Sequence, residues 1–268
     1  MSKKQFLIAV DLDGTLLTDE DKAITPRTKK ALHQAMDQGH KVVIATGRPF
    51  RASEMYYKEL GLNMPIINFN GALVHHPQDT SWGTYHFPLN LSTAQSVVET
   101  SETFGVQNIM VEVMDHVFIR KHDDMIIDTF FGPDTEVSLL KDTLHTDPTS
   151  VLIYPYEHNV DELRRRLDQQ HAEVIEHRKW GAPWNVIEVI RRGLNKAVGL
   201  ERICHHYNIP VENVIAFGDE DNDFEMIEFA GTGVAMENAI PELKRRANAI
   251  TLTNEEEGIA DFLEKNVL

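Results

Sequence analysis

The segment Gln5–Val10 (QFLIAV) runs without a break into Asp11-Leu12-Asp13-Gly14-Thr15. A short uninterrupted apolar run reads as a strand covered on both faces, as in a parallel sheet. Two carboxylates, two residues apart, then stand where the strand ends, and Gly14 lets the chain turn there. In open α/β sheets, ligands bind beyond the carboxyl ends of the strands. A carboxylate at that place suits attack on phosphorus or ligation of a metal, and its neighbour suits proton transfer. Asp-Gly also occurs in ordinary solvated turns, but the buried strand before it favours the chemical reading.

The rest of the N-terminal third repeats the strand–helix alternation. Thr25-Pro26 opens a helix to about Gln38, with Thr25 as cap, Pro26 in the first turn and Gly39 as stop. Lys41–Ala45 is a second buried strand, Phe50–Leu60 a helix and Pro65–Phe69 a third strand. That β-α-β-α-β order predicts a doubly wound, Rossmann-like parallel sheet. From about Trp82 the texture changes. Val106–Arg120 reads as two antiparallel strands around Asp115-His116, and Thr149–Tyr154 as another strand. Val160–Gln170 reads as a helix, and Ala172–His177 and Trp184–Ile190 as further strands. The alternation returns after Gly193, with a helix over Lys196–Tyr207, a strand at Val214–Phe217 and a helix over Asp223–Phe229. The expected organisation is an α/β core, residues 1–81 and 191–268, with an α+β domain inserted at 82–190.

Three more constellations lie at strand or helix ends. Gly218-Asp219-Glu220-Asp221-Asn222-Asp223 sets four acids within five positions, which repel one another unless a cation intervenes, and hard oxygen ligands suit Mg²⁺. Thr46-Gly47-Arg48 offers a hydroxyl and backbone amides near a helix start, a phosphate cradle. Lys196, at the start of a helix, can neutralise phosphoryl charge. The formal charge of −16 disfavours nucleic acid and anionic membranes as partners. The single cysteine, Cys204, reads as a buried structural thiol. No apolar run approaches the ~20 residues that span a bilayer, and no signal peptide opens the chain, so the expected location is cytoplasmic.

Together these residues resemble the haloacid dehalogenase-like hydrolases. Four family motifs occur in order: DLDGTLL at Asp11–Leu17, ATGR at Ala45–Arg48, the lysine at Asn195-Lys196, and GDEDND at Gly218–Asp223. An insertion between the second and third motifs is similar to the Cof-type branch with its α/β cap. Ala197 follows the lysine where that branch often has glycine. The resemblance implies a Mg²⁺-dependent phosphatase acting on a small phosphorylated metabolite through an aspartyl-phosphate. Asp11 would be the nucleophile and Asp13 the acid and base. Asp11, the Asp13 carbonyl and Asp219 would hold Mg²⁺. Leu12, Thr46, Gly47, Lys196 and Asn222 would bind phosphate, with Asp223 supporting the metal site. The cap would close over the site and select substrate, with Arg178 and Trp184 as leading candidates, beside Lys179, Trp180, His122, Asp123 and Asp124. A phosphomutase of the same family and a non-catalytic phosphometabolite-binding regulator are the alternatives. Oligomeric state is not legible from the sequence.

Overall fold

The computed structural model describes residues 4–130, 137–140, 145–171, 174–179 and 185–268. In chain order the strands are β1 (Leu7–Val10), β2 (Lys41–Ile44), β3 (Ile66–Asn68), β4 (Leu73–His75), β5 (Thr84–His86), β6 (Asn108–Val113), β7 (His116–Ile119), β8 (Val137–Leu139), β9 (Ser150–Tyr154), β10 (Ile175–Lys179), β11 (Ile187–Arg191), β12 (Val214–Gly218), β13 (Thr232–Ala235) and β14 (Ala249–Ile250). The helices are α1 (Pro26–Asp37), α2 (Glu54–Glu59), α3 (Leu91–Thr103), α4 (Asp124–Phe130), α5 (Val160–His171), α6 (Lys196–Tyr207), α7 (Phe224–Phe229), α8 (Pro241–Arg246) and α9 (Gly258–Asn266). They build two compact units, Met1–Tyr85 with Asn195–Leu268, and His86–Leu194.

The first unit is a doubly wound α/β fold. Its parallel sheet has the order β14-β13-β12-β1-β2, with Val10 opposite both Phe217 and Ile44. A parallel bridge from Ala45 to Ile67 brings β3 alongside β2. The central strand β1 is fully buried, which explains its unbroken apolar sequence. Helix α1 starts as its residues dictate. Thr25 Oγ1 accepts from Thr28 N at 3.3 Å, Pro26 needs no hydrogen bond, and Ala31, Leu32 and Ala35 turn inward. Burial of a side chain such as Leu32 stabilises by roughly 1.5–3 kcal/mol.

The helix expected over Phe50–Leu60 is instead a 3₁₀ turn, Phe50–Ala52, followed by α2. Ser53 breaks it, because its hydroxyl bonds back to the carbonyls of Pro49 and Phe50. Strands β4, β5, β8 and β14 and helices α3, α4, α8 and α9 are not among the elements expected from sequence. Most are short, and α3 is rich in Ser and Thr, with little apolar periodicity to announce it.

The second unit is an α+β sheet in the order β10-β11-β9-β6-β7-β8, antiparallel except for β7 beside β8. Alternate residues face opposite ways. Ile109, Val111, Val151, Ile153, Ile187 and Val189 pack on Ala94 and Val97 of α3 and Leu163 and Leu167 of α5. Met110 and Leu152 join Ile126 and Ile127 of α4 in a second cluster on the reverse face. The hairpin turn falls at Met114-Asp115, one residue before the expected position. Val113 pairs with His116, and Met114 takes φ 53°. Strand β10 begins later than expected, at Ile175. Residues 172–173 and Trp184 lie outside the described residues.

Candidate active site

Strands β1, β2, β3 and β12 run parallel, so the segments after their carboxyl ends share one edge of the sheet. That is why residues far apart in sequence assemble there. Asp11, 5% exposed, follows β1, and Asp219 and Asp223 follow β12. One carboxylate oxygen of each of the three lies within 4.8 Å of the others. Lys196, at the first turn of α6, has no exposure at all. Its Nζ donates to Asp11 Oδ1 and to Asp223 Oδ1, both at 2.7 Å. Asn195 caps α6 by accepting from Val198 N at 3.1 Å, which fixes where the lysine starts its reach. Asp223 Oδ2 accepts from the main-chain N–H of Asp219 at 3.0 Å, tightening the loop after β12.

The turn after β1 is a π-type turn over Leu12–Leu16, interrupted by Asp13 and by Gly14 at φ 70°. Gly14 is required twice. The conformation is left-handed, and a Cβ would stand 2.2 Å from Asp219 Oδ2. Thr15 Oγ1 donates to Asp219 Oδ1 at 2.7 Å, so the same turn orients the second carboxylate.

The electrostatics are those of an incomplete charge set. Burial pushes the Asp11 carboxyl up to about 7, against the pull of Lys196. Burial, then repulsion by Asp11 and Asp223, pushes Asp219 up to about 8. Burial works against the Lys196 ammonium, but Asp11 and Asp223 overcome it and hold its pKa above the usual lysine value. Lys196 thus supplies one positive charge to three buried carboxylates, and a hard divalent cation on these oxygens would complete the balance.

Asp13 does not join that cluster by its side chain. Arg48 grips it with a two-pronged fork, Nε to Oδ2 at 2.7 Å and Nη2 to Oδ1 at 2.6 Å, and Lys22 lies 3.7 Å away. Burial opposes ionisation, but Arg48 outweighs it and holds the Asp13 carboxyl below the usual carboxylate range.

Thr46 and Gly47 follow β2. Thr46 is buried, and its Oγ1 accepts from Arg48 N at 3.1 Å. Leu12 is fully buried, with its carbonyl bound to Leu17 N at 2.9 Å. Asn222 lies in the 3₁₀ turn Asp221–Asp223 and donates from Nδ2 to Asn70 Oδ1 at 3.1 Å. The segment after β3 closes on the Thr46 loop. Asn70 N donates to the Thr46 carbonyl at 3.1 Å, and Asn68 Nδ2 donates to the Arg48 carbonyl at 2.9 Å. Phe69 and Asn70 both take left-handed backbone, φ 50° and 51°. For Phe69 that costs about 1–2 kcal/mol, whereas asparagine tolerates the region. Sequence reasoning missed Asn70 and the Arg48 fork, although Asn70-Gly71 at a strand end is a visible turn signal.

Arg178 lies in β10, in register with Glu188, and nothing is described of its side chain. The same holds for Lys179, and Trp180 and Trp184 are outside the described residues. His122 pairs with Asp124 at 2.9 Å on the surface, and Asp123 Oδ1 accepts from Ile126 N at 3.2 Å in the first turn of α4. Cys204 is buried, and burial raises its thiol to about 11.

The α/β fold carries a buried carboxylate–lysine cluster at its sheet edge, and a family model described as haloacid dehalogenase-like hydrolase matches residues 8–263. The chain belongs to that family and is an enzyme of its phosphatase class. It is 52% identical to the 5-amino-6-(5-phospho-D-ribitylamino)uracil phosphatase YitU of Bacillus subtilis, over 99% of this chain and 98% of the relative. It is 29% identical to the pyridoxal phosphate phosphatase YbhA of Escherichia coli, over 98% of each. Among solved structures, a haloacid dehalogenase-like hydrolase from Bacteroides thetaiotaomicron superposes with a TM-score of 0.86. The two share 27% identity over 98% of this chain and 99% of that one. In the described residues no helix is long and apolar enough to cross a membrane.

Proposed function

We propose that this phosphatase is Mg²⁺-dependent and works through an aspartyl-phosphate on Asp11. The observation that carries the proposal is Lys196, fully buried and bound to both Asp11 and Asp223. Asp11, Asp219 and the Asp13 carbonyl are the proposed metal ligands, with Asp223 holding the Asp219 main chain in place. The buried all-oxygen set with its uncompensated charge fits Mg²⁺. When bound, the ion offsets the repulsion between the Asp11 carboxylate and a phosphate dianion.

The Asp11 carboxylate attacks phosphorus in line, forming an Oδ–P bond as the ester P–O bond breaks. Asp13 gives a proton to the departing oxygen. Asp13, now a carboxylate, takes a proton from water as that water attacks phosphorus, and the P–Oδ bond breaks to release orthophosphate. Lys196, Thr46, Gly47, Asn222 and the Leu12 amide steady the phosphoryl oxygens. The Arg48 fork suits the carboxylate form of Asp13, which is the form the second step needs. For the first step the fork must open.

The inserted segment, expected at 82–190, is proposed to set substrate selectivity, with Arg178 and Trp184 as candidates. Because of the relative at 52% identity, we propose 5-amino-6-(5-phospho-D-ribitylamino)uracil as the first substrate to test. We place the enzyme in the cytoplasm, a reading supported by its single cysteine. The test is orthophosphate release from that compound, pyridoxal phosphate and an aryl phosphate, with and without Mg²⁺. Asp11→Asn is expected to abolish release, and unchanged turnover in that variant refutes the mechanism. Transfer of labelled phosphate between bisphosphates without net release would favour a phosphomutase.

A further inference from the structure

The turn after β3 carries a side chain that the four motifs leave unexplained. Asn70 is only 2% exposed, and its amide is enclosed by segments from different parts of the chain. Its Oδ1 accepts from Asn222 Nδ2 at 3.1 Å. A Cβ on Gly47 would come within 3.2 Å of its Nδ2, so Gly47 leaves the room in which the amide lies. The next residue, Gly71 at φ 95°, is equally confined, since a Cβ there would stand 2.3 Å from the carbonyl oxygen of Asn195. One turn therefore touches the three segments that carry Thr46, Lys196 and Asn222. Among the described residues no acceptor is bonded to Asn70 Nδ2, whereas Oδ1 is satisfied. An amide donor with no protein acceptor is free to serve a ligand or water. A neutral donor also suits a place already crowded with carboxylates, because it binds an anion without drawing Asp11 or Asp219 to itself.

We propose that Asn70 is a phosphoryl-binding residue. Its Nδ2 donates to a phosphoryl oxygen, and its Oδ1 orients Asn222 toward the same group. The assignment rests on the phosphatase reading of this site. It explains why a residue at φ 51° is asparagine, which tolerates the left-handed region and carries a donor, where glycine would satisfy the backbone alone.

The test uses the full chain with Mg²⁺ and orthovanadate as probe, with binding measured by calorimetry and fold by thermal midpoint. Asn70→Gly keeps the backbone conformation and removes the amide. Asn70→Asp keeps an acceptor for Asn222 but replaces the donor with an anion. Both are expected to weaken vanadate binding by about tenfold or more, Asp more than Gly, with thermal midpoints that stay above the assay temperature. Adding Asn222→Ala to Asn70→Gly is expected to cost less than about threefold further, because the orientation is already lost. Either single variant binding within about threefold of the parent overturns the assignment, as does a double variant whose losses multiply. Aryl phosphate turnover by the parent chain separates the two readings. Asn70-dependent vanadate binding without phosphate release upholds Asn70 and overturns the phosphatase mechanism.

Discussion

A lysine without solvent costs several kcal/mol to desolvate, and only close carboxylates make it tolerable. Lys196 meets that condition through Asp11 and Asp223. Lys196→Met is expected to destabilise the metal-free chain by about 3 kcal/mol, since it strands buried carboxylates. Chemical denaturation without Mg²⁺ measures this, and a loss under about 1 kcal/mol contradicts it. The same carboxylates give stability a pH dependence. Asp11 and Asp219 are raised from 3.8 to about 7 and about 8 in the fold. Their contribution is therefore fully present below pH 3.8 and is lost as pH rises through those folded values. The metal-free chain is expected to lose thermal stability between about pH 4 and pH 8, most clearly from about pH 6 to 8, where other carboxylates no longer titrate. Mg²⁺ should flatten that fall, and a metal-free midpoint that rises over the upper part of that range would contradict the charge balance described. Asp13→Asn is expected to slow poor leaving groups by roughly two or more orders of magnitude and aryl phosphates less, because an aryl oxygen needs little protonation. Equal loss on both would remove Asp13 from the first step.

At the level of elements, α6 has to approach β3 closely to deliver Lys196. Gly199 allows it, for a Cβ there would stand 2.7–2.8 Å from the Ile67 side chain. Alanine is the better helix former by about 1 kcal/mol, but overpacking costs about 1–3 kcal/mol. Gly199→Ala is therefore expected to destabilise and to lower turnover by shifting the first turn of α6. Ile67→Ala in the same chain should recover part of both. Melting curves of the two singles and the double settle the point, and simple addition of the two losses would show that the contact is not the constraint. This close packing could not be read from sequence. Gly199 inside a helical pattern is visible as an oddity, but its reason lies in a strand far earlier in the chain. The break at Ser53 has the same character, because its hydroxyl also accepts from Asn68 Nδ2 at 2.9 Å.

Across the molecule, the catalytic candidates all fall in the unit built from both ends of the chain, and the other unit has its own two apolar clusters. Substitution of Arg178 is expected to change kcat/KM unequally among phosphorylated metabolites while leaving aryl phosphate hydrolysis nearly intact, because remote interactions matter only to substrates with remote parts. A proportional loss on all substrates would place Arg178 in folding instead. The α/β class was legible in the linear chain, because buried parallel strands such as Leu7–Val10 must be continuously apolar. The segments that gather at the sheet edge were legible too, because each comes directly after such a strand or at the start of a helix. Folding was needed to establish that Arg48 holds Asp13, that Lys196 bridges Asp11 and Asp223, and that Asn70 meets Asn222. These contacts join segments up to 185 residues apart. A linear pattern records which residues succeed a strand, whereas the order of strands in the sheet decides which of those residues meet.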